Sequence, residues 1–292
     1  GDACYLYSCD AIAGCVTTWA QAEGCLFSCE VTQVEVGKSE GFIGISTGDA
    51  AFTDSKAYVV QQDNGNELSV VDWSVAAAPV ELSIFEEGAD VPTQGIGIPN
   101  VNLPRRVIVQ GEDQLYISSS MGVTGVDVSD PTAPVVTGHA GGFNSVYGMV
   151  IHPGGELLYG ALISGGVGVV GISTPEALTM SAPQWADADG QTYDVAIGHN
   201  TLYLVGSDLS LFVYDLAFPS MPQLIGQLAG IENPTSFAET RVIVQGGLAL
   251  LVSSRDGYRL VDVSTPQSPV EQSYSASPER IYGAVFFEGY AL

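Results

Sequence analysis

Apolar and polar residues alternate with a period of two along most of the chain, in short runs broken by Gly, Asn, Asp and Pro. That pattern predicts β-strands joined by tight turns, and no long stretch carries a helical period. The clearest strand–turn–strand pairs are RVIVQGEDQLYIS from Arg106 and RVIVQGGLALLVS from Arg241. Related pairs are YGMVIHPGGELLYG from Tyr147, YDVAIGHNTLYLV from Tyr193 and YGAVFFEGYAL from Tyr282, with a degenerate copy, AAFTDSKAYVV, from Ala50.

A third strand with a small residue and a Pro turn follows each complete pair. It reads VVDWSVAAAP (70–79), GVDVSDPTAP (125–134), VVGISTPEAL (169–178), VYDLAFPSMP (213–222) and LVDVSTPQSP (260–269). Its marker position falls at Asp72, Asp127, Gly171, Asp215 and Asp262, at intervals of 55, 44, 44 and 47 residues. Fourth strands leave the Pro turns as PVELSIF from Pro79, PVVTGH from Pro134, PQLIGQ from Pro222 and PVEQSYS from Pro269. Four strands in such a unit make a β-propeller blade, so the chain is predicted all-β.

Five copies are complete and a sixth reaches only its second strand at Leu292, which predicts six blades with the last one split or truncated. Open strand edges invite aggregation, so something should complete that blade. One expectation assigns this to residues 25–37, CLFSCEVTQVEVG, as third and fourth strands; the rival is a longer propeller of which this is a fragment. The predicted organisation is a Cys-rich segment at 1–24 and a propeller over 25–292.

LVDVSTPQSP and GVDVSDPTAP, together with the YGxV strands from Tyr147 and Tyr282, resemble the LVIVD-repeat family over residues 41–292. The resemblance implies a propeller on exported or cell-surface bacterial and archaeal proteins, often without known activity. Gly171 in place of Asp departs from the motif. The marker Asp is expected to be structural, accepting backbone N–H bonds at the turn; a calcium-binding carboxylate ring is the alternative.

Composition then narrows the classes. Acidic side chains number 33 against 8 basic ones, a formal charge of −25. A surface this acidic is not drawn to nucleic acid or anionic membranes. With 46% hydrophobic residues the chain has ample core, and no apolar stretch is long enough for a spanning helix. Cys4, Cys9, Cys15, Cys25 and Cys29 are the only cysteines, crowded into the first tenth of the chain. That crowding predicts disulfides in an oxidising compartment, with the odd thiol free for homo- or hetero-assembly. No basic leader opens the chain, so the expectation is a processed, extracellular or cell-surface protein.

Candidate chemistry is sparse. His139, His152 and His199 share no metal spacing, and no nucleophile elbow or HExxH occurs. No metal or cofactor is predicted; calcium at the acidic turns of Asp63 and Asp187 is the remaining option. Tyr147, Tyr193 and Tyr282, with Arg106 and Arg241, precede or open the innermost strands and are the candidate binding residues at one channel mouth. The alternative is that the tyrosines pack between blades with their hydroxyls tied to backbone. No catalytic residue is assigned. The predicted function is a non-catalytic surface propeller that binds or scaffolds protein or glycan partners. The alternative is a propeller-type hydrolase or lyase with its site in the central channel, which would need a metal-binding or acid/base cluster on the inner strands.

Overall fold

The computed structural model describes residues 4–10, 14–20, 47–61, 67–75, 78–85, 101, 103–142, 145–181, 191–235, 239–276, 286–287 and 290–291. The chain divides into two compact units, Gly1–Val36 and Gly37–Leu292. The first contains an antiparallel hairpin of β1 (Cys4–Asp10) and β2 (Gly14–Ala20), whose register sets Cys9 opposite Cys15. Residues 25–37, and so their expected role in the last blade, lie outside the described residues.

The second unit holds five antiparallel four-stranded sheets, each of consecutive strands. Blade one is β3 (Thr47–Phe52), β4 (Lys56–Gln61), β5 (Glu67–Asp72) and β6 (Val80–Phe85). Blade two is β7 (Arg106–Gln110), β8 (Gln114–Ser119), β9 (Gly122–Asp127) and β10 (Val135–Ala140). Blade three is β11 (Val146–Ile151), β12 (Leu157–Leu162), β13 (Val167–Gly171) and the short β14 (Thr179–Met180). Blade four is β15 (Thr192–Gly198), β16 (Thr201–Gly206), β17 (Leu211–Asp215) and β18 (Gln223–Leu228). Blade five is β19 (Thr240–Gln245), β20 (Leu248–Ser253), β21 (Gly257–Asp262) and β22 (Val270–Ser275). A two-stranded hairpin, β23 (Phe286–Phe287) with β24 (Tyr290–Ala291), follows.

Successive blades meet face to face, each pair sealing its own apolar layer. Tyr58, Val60 and Leu68 of blade one pack on Leu115, Ile117 and Val126 of blade two. Tyr203, Val205 and Val213 of blade four pack likewise on Ala249, Leu251 and Val261 of blade five. Middle strands are therefore covered on both faces, which is why LLYGAL and LYLV read as nearly continuous apolar runs. The outermost strand β22 is mostly exposed, and β18 is half exposed.

Hydroxyls stitch the layers where apolar contact ends. Tyr159 Oη of blade three donates to the Pro219 carbonyl in the Pro turn of blade four, at 2.9 Å. Tyr116 donates to Gln110 Oε1 at 3.0 Å, and Gln110 Nε2 reaches the Gly155 carbonyl of blade three at 2.7 Å. The marker aspartates are turn-formers, as expected. Asp72, Asp127, Asp215 and Asp262 each accept the backbone N–H two residues on, at 2.8, 2.8, 3.0 and 2.9 Å. Blade three, with Gly171 there, turns instead through a short 3-10 segment at Pro175–Ala177.

Candidate active site

The first strands of neighbouring blades lie side by side, and together they wall one central cavity of about 680 Å³. One residue per blade stands at a common height on these strands. Pairing with the second strand fixes that height: Asp49 faces Val60, Arg106 faces Ser118, Asp194 faces Val205 and Arg241 faces Val252. In blade three the position belongs to Gly148, inside the register irregularity between Val146 and Met149. In blade order the ring is Asp49, Arg106, Gly148, Asp194, Arg241.

Arg106 joins both carboxylates. Its Nη2 donates to Asp194 Oδ1 at 2.6 Å, across the gap at blade three, and its Nη1 lies 3.7 Å from Asp49 Oδ1. Gly148 makes that reach possible, because a Cβ there would collide with the Asp194 carboxylate and backbone. The second oxygen of each Asp holds the next blade: Asp49 Oδ2 accepts the Val107 N–H, and Asp194 Oδ2 accepts the Val242 N–H, both at 3.1 Å.

The two carboxylates are not equivalent. Both Asp194 oxygens are engaged at hydrogen-bond distance and its side chain is only 8% exposed. Asp49 is 18% exposed and its Oδ1 is loosely held. Burial pushes the Asp49 carboxyl above its ordinary value, despite the opposing pull of Arg106 and the Val107 N–H. Burial also works against the Arg106 cation, but Asp194 and Asp49 more than offset it and raise its affinity for the proton.

One residue before the ring lies an aromatic tier. The Arg105 guanidinium sits 4.5 Å over the Tyr147 ring, and Tyr147 meets Tyr193 edge-on at 4.7 Å. Tyr193 Oη donates to Gln191 Oε1 at 2.7 Å. Of the five candidate residues read from sequence, the structure thus brings Tyr147 and Tyr193 together. It places Arg106 and Arg241 one step further along, in the cavity wall. Tyr282 lies outside the described residues. Asp49, Asp194 and Arg105 were missed; the visible signal was that YDV at Tyr193 carries Asp where YGM at Tyr147 carries Gly.

No histidine lines the cavity. His139 shares a hydrogen bond with Thr124 at 3.0 Å, and burial holds its imidazole below the ordinary value. His152 Nδ1 accepts the Gly154 N–H within a turn, and His199 sits in another turn at φ 56°. Among the described residues no three His, Cys, Asp or Glu side chains are grouped to hold a metal ion, and no helix is long and apolar enough to cross a membrane. The acidic turns at Asp63 and Asp187 lie outside the described residues.

Residues 105–140 match the LVIVD repeat, in agreement with the motif resemblance. No curated protein matches the sequence. Among solved structures, the periplasmic gluconolactonase of Pseudomonas aeruginosa is similar with a TM-score of 0.67 at 10% identity, over 83% of this chain and 76% of that one. A Bacteroides fragilis protein described as a 6-phosphogluconolactonase has a TM-score of 0.68 at 10% identity, over 82% and 74%. A nidogen/laminin complex contributes a chain with a TM-score of 0.54 at 13% identity, over 82% and 84%. At these identities the likeness shows the propeller-like fold.

The expectation of a non-catalytic binding or scaffold module is corrected by these findings. It rested in part on the lack of a metal-binding or acid/base cluster on the inner strands, where Asp49, Arg106 and Asp194 form a charged cluster. The proteins named as lactonases among the similar structures share the propeller-like fold.

Proposed function

We propose that this chain is a propeller hydrolase whose site is the central cavity, acting on a cyclic ester of a small polyol, the lactone class. The observation that carries the reading is the Asp49–Arg106–Asp194 cluster on the first strands, lining a cavity of a size suited to a small molecule. The lactonases among the similar structures support the substrate class.

Each side chain has a distinct task. Asp49, the looser carboxylate, whose affinity for the proton is raised by burial, takes a proton from water. The hydroxide attacks the acyl carbon, and the charge gathering on the carbonyl oxygen is met by the guanidinium groups of Arg106 and Arg241. Collapse breaks the ring C–O bond, and the proton held by Asp49 passes to the leaving alkoxide. Asp194 touches no substrate; it fixes Arg106 in place. In the same reading, β23 and β24 begin a sixth blade, and the N-terminal cysteines and a periplasmic similar structure support a site of action outside the cytoplasm.

A panel of sugar lactones and aryl esters, followed by pH-stat, tests this. Turnover well above the buffer rate, with kcat reduced about 100-fold or more in Asp49→Asn, is the expected result. A folded protein that hydrolyses none of the panel, or an Asp49→Asn variant with full kcat, overturns it.

A further inference from the structure

The first unit, Gly1–Val36, is small for a folded body. Below about 40 residues a chain buries too little apolar surface to hold itself together, and disulfides or a metal usually make up the difference. All five cysteines of the protein fall inside this unit. A two-stranded hairpin is itself marginal in water. Yet β1 and β2 pair in unbroken register, from Cys4 opposite Ala20 to Asp10 opposite Gly14.

That register sorts the cysteines. Positions along a strand alternate between its two faces, so Cys9 shares a face with Tyr5 and Tyr7, while Cys4 belongs to the other face. Cys15 stands directly opposite Cys9, as Trp19 stands opposite Tyr5. Directly opposed residues of an antiparallel pair have Cα atoms about 4.5–5.5 Å apart, inside the range of about 4.4–6.8 Å that a disulfide spans. Cys4 is five positions from Cys9, about 17 Å along the strand, and so beyond the reach of either Cys9 or Cys15 while the hairpin is paired. A one-residue slip would part Cys9 and Cys15 onto opposite faces. The aromatic opposition of Tyr5 and Trp19 favours the register that keeps them together.

We propose that a disulfide joins Cys9 to Cys15 and staples the tip of the hairpin, so that the odd thiol of the five is Cys4, Cys25 or Cys29. Each of the two thiols gives up a proton and an electron as the S–S bond forms. The oxidant is another disulfide, of a small molecule or an oxidoreductase, which takes both electrons and both protons and is cleaved to two thiols. The bridge encloses residues 10–14 and locks the register at the turn, where a lone two-stranded ribbon would otherwise fray. It stands independently of the chemistry in the cavity.

Chymotryptic mapping of the full chain tests this, with the protein secreted through an oxidising compartment and alkylated while denatured but unreduced. Cleavage after Tyr5, Tyr7, Trp19, Phe27 and Phe42 separates Cys4, Cys25 and Cys29 from one another and leaves Cys9 and Cys15 together in residues 8–19. The 8–19 peptide should be about 2 Da lighter than its reduced form, with no alkyl group and no partner peptide. The double variant Cys9→Ser/Cys15→Ser should leave Cys4, Cys25 and Cys29 linked or free as they are in the native chain. Should that variant fail to fold, the native map decides alone. An 8–19 peptide bridged to the peptide of Cys4, Cys25 or Cys29 overturns the proposal. So does one carrying two alkyl groups, the result that free or metal-bound thiols would give.

Discussion

Replacing the two channel carboxylates by Asn should separate stability from catalysis, and in opposite senses. Asp194 accepts from Arg106 with one oxygen and from the Val242 N–H with the other. Asn offers one acceptor, so one of those donors is left facing an NH2 group. The lost bond is to a buried site with a charged partner, which costs about 1.5–3 kcal/mol. Arg106 is then held only by Asp49 at 3.7 Å. For a body of this size each kcal/mol moves Tm by about 2–4 °C, so Asp194→Asn should melt roughly 5–10 °C lower. Asp49 behaves differently. Its folded carboxyl value is raised by burial, so the stability it contributes is lost as pH rises through that value, and at pH 7 its charge opposes folding. Asn mimics the neutral acid and can still accept the Val107 N–H. Asp49→Asn should therefore melt at or above the parent temperature while losing turnover. Calorimetric melting and pH-stat kinetics on the two variants provide the assay. If Asp49→Asn melts as low as Asp194→Asn, or if Asp194→Asn melts unchanged, the division of labour between the carboxylates is wrong.

Further outcomes follow from single residues. The acid limb of kcat/KM should lie above the ordinary value of an Asp carboxyl because burial raises Asp49; a limb at or below that ordinary value removes Asp49 as the base. Tyr159, its phenol pushed up to about 12 by burial, should resist ionisation in a spectrophotometric titration, and Tyr159→Phe should cost about 1 kcal/mol by leaving the Pro219 carbonyl unpaired. Leu204→Ala, in the fully covered layer between blades three and four, should cost about 2–5 kcal/mol in denaturant melts. Intact mass should fall by about 2 Da for each bridge formed among the five cysteines; five free thiols in the protein recovered from its native compartment would remove the argument for export.

The blades were legible because they repeat. Packing between blades demands the same apolar positions each time, so LYIS, LYLV and LLYG echo one another. The Pro turn needs an Asp that bonds the N–H two residues on, so Asp127 and Asp262 recur in register. The Tyr147–Tyr193 pair was legible for the same reason. Arg106 and Arg241 were named from sequence, yet set beside the tyrosines rather than one step beyond, because RVIV and YGMV look equivalent until the pairing with the second strand fixes their height. The tyrosines whose hydroxyls reach a neighbouring blade's backbone are Tyr116, to the Ile172 carbonyl, and Tyr159, to the Pro219 carbonyl, both on second strands, where the sequence shows only another apolar position.

What stayed hidden follows from the same architecture. Second and third strands are committed to packing on two faces and fourth strands to the Pro turns, so only the first strand can vary without breaking a blade. Its ring position is where the repeats disagree: Asp49, Arg106, Gly148, Asp194, Arg241. A search for what recurs passes over such a position, because each occupant differs from the last. Their complementarity is also long-range. Arg106 meets Asp194 only because blade two and blade four curve around one cavity and Gly148 leaves the intervening blade without a side chain. In a propeller, the informative column of the repeat is therefore the one on the first strand that is polar, changes sign between copies, and is emptied by glycine where two neighbours must touch.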